Sequence, residues 1–458
     1  MTDSIGIRAA FKRLIGDFPD RPRRRQLLTI ALPVIGGMTS QNVLNLVDIG
    51  MVGRLGDTAL AATGIGSFAN WLSMAFILGL ATGVQAMSAR RVGEGVHGEL
   101  AVPLNGGLLL SLLLGAPLAA GLFLLAPEIM ALLNPDADVV AEAGPYLQVR
   151  LLALVAVGMN FSFRGYWSAV HMTGLYLITL LIMHSVNVVL NWVLIFGNLG
   201  APELGVYGAG LATTLSVYLG LCIYIGFGLR HAWSEGFLSR MPSAATLARQ
   251  VRVSLPASLQ QLFFAGGMLA LVTIIGVVGT RELAAANVLM HLGLIIILPA
   301  IGLGLATATL VGNALGRGDV EDARRWGWNA MVFSGAVGLA AGLAVIAFGR
   351  PILGVFLTDP QTLALAWWPL VISGVVMAFD TAGLTLMHAL LGAGDTGRVM
   401  RISVVCQWLL FLPLAVLAGP VLGGGLLAIW GLQALYRVGQ AGWFARAWAR
   451  GGWRHIKV

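Results

Sequence analysis

The stretch LLTIALPVIGGMTSQNVLNLVDIGMVG, residues 27–53, decides the fold. It carries a single charge, Asp48, in 27 positions. A helix crossing about 30 Å of hydrocarbon needs about 20 apolar residues, and an alternating strand about ten. This run is long and does not alternate, so it reads as a membrane-spanning helix. Arg21, Arg23, Arg24 and Arg25 precede it. The apolar part is too long for a signal peptide, holds Asp48 and lacks a small-residue cleavage site, so it is expected to be retained.

Eleven further runs follow, near 58–89, 101–125, 139–163, 172–196, 205–229, 247–278, 283–314, 327–349, 361–391, 399–419 and 424–446. The composition agrees. Of 458 residues, 58% are hydrophobic and 10% charged, against roughly 25% charged in soluble domains. With a mean hydropathy of +0.85, too little polar surface remains to cover a water-soluble core. The expected fold is an all-α polytopic membrane protein with twelve transmembrane helices.

A net charge of +8 in a soluble domain would point to nucleic acid. Here position explains it. With the N-terminus inside, 23 of the 28 Lys and Arg fall on the inner side, three (Arg54, Arg281, Arg350) outside, and two (Arg150, Arg437) within spans. That bias follows the positive-inside rule and predicts both termini cytoplasmic in a bacterial-type inner membrane, with no nucleic-acid partner. Cys222 and Cys406 lie in apolar runs without metal spacing. No HExxH, P-loop, CxxC or GxSxG-like motif is present, so neither ATP hydrolysis nor acyl chemistry has residues to run on, and no enzyme, cofactor or structural metal is expected.

The chain also resembles itself. A shift of 223 positions superposes Leu32-Pro33 on Leu255-Pro256, Gly56 on Gly279, Leu60-Ala61-Ala62 on Leu283-Ala284-Ala285, Gly79-Leu80 on Gly302-Leu303, and Gly93 and Gly95 on Gly316 and Gly318. Twelve of 64 positions are identical, about twice what chance gives in so biased a composition. Six spans per repeat is an even number, so the halves share orientation: a parallel repeat of two six-helix bundles around a central cleft. The expected boundaries are a basic segment 1–26, a bundle 27–230, a linker 231–246, a bundle 247–446 and a tail 447–458.

Of the 20 acidic residues, Asp48 and Asp380 fall deep within predicted spans. A carboxylate in hydrocarbon is costly and marks a functional site by default. Gln41, Asn45 and Asp48 stand at i, i+4 and i+7, one helix face. Their repeat counterparts, Phe264, Met268 and Leu271, are apolar, so the fold itself does not require that face to be polar. His184, Asn187 and Asn191 share a face of the fifth helix, and Thr213 and Thr214 lie in the sixth. A structural reading stands beside each, since Asn and Thr also join neighbouring membrane helices. Asp380 and His388, with Thr385, fall close to one face of the tenth helix; Asn287 and His291 are at i and i+4 in the eighth, where Pro299 is expected to interrupt the helix. A hydrogen-bonded structural role competes for both histidines, as snorkelling or pairing does for Arg150 and Arg437. A desolvated Asp near amides either holds a proton or binds a hard cation, and the residues leave both open.

The segment Asn45-Leu46-Val47-Asp48-Ile49-Gly50-Met51-Val52-Gly53-Arg54-Leu55-Gly56 with Leu60-Ala61-Ala62 resembles the signature of the multidrug and toxic compound extrusion (MATE) family. Residues 190–213 and the segment from Asp380 to Leu391-Gly392-Ala393-Gly394-Asp395-Thr396 are similar to its NorM-type branch. The resemblance covers the chain after residue 25. It implies a monomeric secondary antiporter exporting cationic, aromatic drugs for H+ or Na+ by alternating access. It also implies ion coupling through Asp48, Asn187, Asn191 and Asp380, with Na+ at Asp48 or Asp380 as one form. The seventh helix reads Gln261-Leu262-Phe263-Phe264-Ala265 where NorM-type members often carry Glu, which favours the proton. The alternative is a lipid-linked precursor flippase of the wider superfamily, whose phosphates would call for several arginines at depth.

Overall fold

The computed structural model describes residues 18–457. It is helical throughout, with no strand among the described residues. The helices are α1 (Arg21–Val52), α2 (Asp57–Glu94), α3 (Val102–Leu133), α4 (Ala137–Leu151 and Leu154–Ala169), α5 (Thr173–Phe196) and α6 (Gly205–His231). They continue with α7 (Ala244–Val278), α8 (Thr280–Gly316), α9 (Val320–Phe356), α10 (Pro360–Gly392), α11 (Thr396–Val421) and α12 (Gly425–Arg450). Ten are long and apolar enough to cross a membrane, and the two pieces of α4, bent by 47°, make an eleventh. The twelfth, α12, has 26 residues and is less apolar because Gln433, Arg437 and Gln440 interrupt its centre.

Burial is inverted relative to a soluble protein, as a lipid-facing surface demands. On α3, Leu124 and Leu132 are 73% and 88% exposed, whereas Asn105 and Ser111 are buried. Close helix contacts use glycine. A methyl on Gly79, where α2 is broken, would overlap the Ser258 backbone of α7, and one on Gly208 would meet the Leu194 carbonyl of α5. In α11, Pro413 and Pro420 lack the N–H that the Leu409 and Val416 carbonyls would take, and the chain absorbs both in π-helical turns over Val405–Phe411 and Leu417–Val421. Pro299 behaves differently from expectation. Helix α8 runs without a break from Thr280 to Gly316; the proline removes one hydrogen bond, at the Ile295 carbonyl, and the rest of the ladder holds the helix.

The chain forms two compact units. The N-terminal unit is Gly36–Leu262; the C-terminal unit is α1 up to Ile35 together with everything from Phe263 onward. The seam thus falls inside α1 and α7, not in the expected linker 231–246. That segment is fastened to the N-terminal unit: Asn105 Nδ2 donates to the carbonyls of Gly236 and Arg240, both at 2.8 Å, and Asn105 Oδ1 accepts from Leu238 N–H. Most of the expected basic segment 1–26 lies outside the described residues.

The C-terminal unit has two apolar layers. One joins Leu27, Ile30 and Ala31 of α1 to α8–α12 through Trp326, Leu390 and the stacked pair Trp448–Trp453, 4.1 Å between ring centroids. The other joins the remaining ends through Leu271, Leu353, Leu370, Phe411 and Trp430. At the start of α1, Arg23 forms an ion pair with Asp322 of α9, donates to Asn329 Oδ1 at 3.1 Å and lies 4.7 Å over the Trp326 ring.

Candidate functional site

In the N-terminal unit, the polar faces of α1 and α5 meet. Asn191 Nδ2 donates to Asp48 Oδ1 at 2.6 Å. With Asn191 so placed, Asn187 Oδ1 accepts from Asn191 Nδ2 at 3.0 Å and Asn187 Nδ2 donates to Thr213 Oγ1 of α6 at 3.3 Å; turning the Asn187 amide alone would set its nitrogen 3.0 Å from the Asn191 nitrogen, donor against donor. One neutral amide therefore donates to the carboxylate and is held in turn by the second, which links it to α6. Both asparagines are fully buried. Asn191 Oδ1 is also buried and has no hydrogen-bond partner, which is uncommon because an unmet buried acceptor is costly.

A second chain of contacts lies earlier on the same two helices. His184 Nδ1 is 2.8 Å from Ser40 Oγ and its Nε2 is 3.1 Å from Gln41 Oε1, while Gln41 Nε2 donates to Asn45 Oδ1 at 3.1 Å. The i, i+4, i+7 spacing on α1 and i, i+3, i+7 spacing on α5 produce this register, since both sets project toward one neighbour. Ser40, which fixes the His184 ring, was not singled out by sequence, although it adjoins Gln41. Thr214 belongs elsewhere: its hydroxyl is bound to the Val149 carbonyl of α4 at 2.8 Å, a helix-to-helix tie. Arg150 closes the first piece of α4, 5.9 Å from the Tyr146 ring and within electrostatic range of Asp48.

The C-terminal unit holds a different carboxylate. Asp380 Oδ1 accepts from Arg437 of α12 at 3.3 Å, with both side chains about one-fifth exposed. Arg437 also lies 5.3 Å over the Tyr436 ring, which stacks on Phe411 of α11. Other expected members are committed to the backbone. His388 Nδ1 meets the Leu384 carbonyl at 2.8 Å, and its ring packs where Gly304 leaves room. His291 Nδ1 meets the Asn287 carbonyl at 2.8 Å on an exposed face. Thr385 donates to Thr381, whose own hydroxyl donates to Ser334 of α9. These contacts run along or between helices, whereas Asp380 is paired with a residue of opposite charge within its own unit.

A family model described as MatE matches twice, over residues 33–193 and 256–417. The chain belongs to the MatE family. The two matches begin 223 positions apart, the offset of the internal repeat, and they place α1–α5 and α7–α11 as equivalent halves of a MatE chain. Among curated relatives, "Probable multidrug resistance protein NorM" of Thermotoga maritima is 26% identical over 89% of this chain and 88% of its own length. The protein of the same name from a Synechococcus species is 29% identical over 91% of each. Of solved structures, a Vibrio cholerae MATE transporter superposes with a TM-score of 0.86 at 19% identity, covering 94% of this chain and 97% of that one. A eukaryotic MATE transporter superposes with a TM-score of 0.83 at 21% identity over the same shares. At those identities the structural likeness speaks to fold: this is the twelve-helix MATE architecture.

Proposed function

We propose that the chain is a multidrug efflux antiporter, exporting cationic and aromatic compounds in exchange for protons by alternating access, with Asp48 as the ion-coupling carboxylate. Family membership and the names of its relatives support the substrate class. The charge bias of the loops supports an inner-membrane location with both termini cytoplasmic.

One observation carries the coupling role: Asp48 is held by a neutral amide, and Asn191 Oδ1 beside it has no partner. An ionised Asp48 takes an N–H group of Asn191, whose nitrogen also donates to Asn187 Oδ1. Once protonated, it becomes a donor and needs an acceptor. A half-turn of the Asn191 amide supplies Oδ1 to the carboxyl proton, and a matching half-turn of Asn187 turns its N–H toward that same Oδ1, so the two charge states take different hydrogen-bond patterns. Each state therefore favours its own arrangement of α1 against α5, which is how an ion biases a two-state equilibrium. Na+ is the competing ion, with Asp48 and Asn191 oxygens as hard ligands. The flippase alternative gains nothing, because Arg437 is engaged by Asp380 and is not free for phosphates.

The test is export of a fluorescent organic cation from proteoliposomes under separately imposed pH and Na+ gradients. Acceleration by the pH gradient and its loss in Asp48→Asn are expected. Unchanged coupling in that variant would remove Asp48 from the mechanism, acceleration by Na+ alone would replace the ion, and indifference to both gradients would remove the antiporter.

A further inference from the structure

The geometry points to Arg437 as a built-in counter-cation that occupies Asp380 permanently, so that the C-terminal unit offers no exchangeable cation site and ion coupling is confined to Asp48. The role is one of specificity: Arg437 sets how many ions the cycle uses.

Depth is the first argument. Asp380 is the twenty-first residue of α10 and Arg437 the thirteenth of α12. At about 1.5 Å per residue, each lies about 18 Å or more from either end of its helix. That far from either helix end the guanidinium is met by a carboxylate of the neighbouring helix. Location in the packing is the second. Along α10 and α12 the pair falls between the two apolar layers of the unit: Leu370 and Trp430 belong to one, Leu386 and Phe444 to the other. Tyr436 packs against both layers and, stacked on Phe411, underlies the guanidinium. The arginine is thus held by an aromatic platform fixed in the core.

Charge is the third argument. The ionisable groups that act on Arg437 are Asp380 and Tyr436, one carboxylate and one phenol. The site is neutral as it stands, one guanidinium on one carboxylate, and a further cation would have to displace a tethered one. Asp48 differs on this point, because its hydrogen-bond donor is uncharged and can exchange roles without leaving a buried charge behind.

Two measurements test this, the second of which rests on the antiporter reading. A membrane-permeant carbodiimide modifies carboxyl groups that are protonated in apolar surroundings. In the wild-type protein, mass spectrometry should find Asp48 modified and Asp380 spared. Arg437→Gln removes the group that covers Asp380 Oδ1, so Asp380 should react faster in that variant than in the wild type. Modification of wild-type Asp380 as fast as in Arg437→Gln would overturn the inference. The second measurement is the ion-to-drug ratio, read from the gradient at which net export stops. The double variant Asp380→Asn/Arg437→Gln, which keeps shape and neutrality, should show the wild-type ratio. A ratio lower by one ion would make Asp380 a coupling site and overturn the inference. A wild-type protein that ignores ion gradients would sink the antiporter, while the labelling still decides whether Arg437 holds Asp380.

Discussion

The two deep carboxylates occupy similar helices and opposite electrostatic situations. Asp48 takes its hydrogen bond from a neutral amide, with Arg150 only within electrostatic range; Asp380 takes its hydrogen bond from a guanidinium. Desolvation penalises a lone charge and is offset for a fixed pair, so the first arrangement favours a group whose charge changes and the second one whose charge does not. The repeat makes the contrast sharper. Both halves descend from one pattern, yet the polar triad Gln41, Asn45 and Asp48 has apolar counterparts in the second half. The C-terminal unit has its charge on α10 and cancels it.

The largest effect expected is at Asp48. Asp48→Asn keeps the shape and removes the titration, so gradient-driven export should fall by about 5- to 150-fold, the usual span of coupling free energies, while binding of a fluorescent drug to detergent-solubilised protein persists. Retained export would erase the distinction between the two carboxylates. Next comes Arg437→Leu, which leaves Asp380 charged and alone. Breaking a buried pair costs about 3–5 kcal/mol, visible as a much lower thermal midpoint in detergent. Asp380→Asn/Arg437→Gln should recover most of that loss, and a double variant as unstable as the single one would show that the pair is not a unit.

Smaller effects sharpen the N-terminal side. Asn191→Ala removes a donor to Asp48 and should cost about 1–3 kcal/mol of stability, with the pH dependence of export displaced relative to wild type. An unaltered pH profile would mean that the amide does not serve the carboxylate. Ser40→Ala loosens the His184 ring and should cost about 1 kcal/mol in the same melting experiment, with export within about twofold of wild type; a larger loss of export would extend the coupling network to His184.

The spans and the Asp48 face were legible because both are local patterns: a run of apolar residues long enough for a bilayer, and polar residues three or four apart. The pairing of Asp380 with Arg437 joins residues 57 positions apart, and no periodicity encodes it; two opposite charges at similar depth were the signal available. Pro299 misled for a related reason. A proline removes one donor whatever its context, and whether the helix stops there depends on what packs around it. The seam of the two units was invisible as well, since near Ile35 and Leu262 it falls inside the continuous helices α1 and α7, where no loop composition marks it.

The contact between Arg23 and Asp322 has a consequence for biogenesis. Its partners are separated by 299 residues, which at a synthesis rate of about 5–20 residues per second is an interval of about 15–60 seconds. During that time α1 has neither Asp322 nor Trp326 to receive it. The opening residues of α1 are thus seated only after α9 has emerged. A chain interrupted before α9 would leave those residues unhoused, a form that membrane quality-control proteases are equipped to recognise.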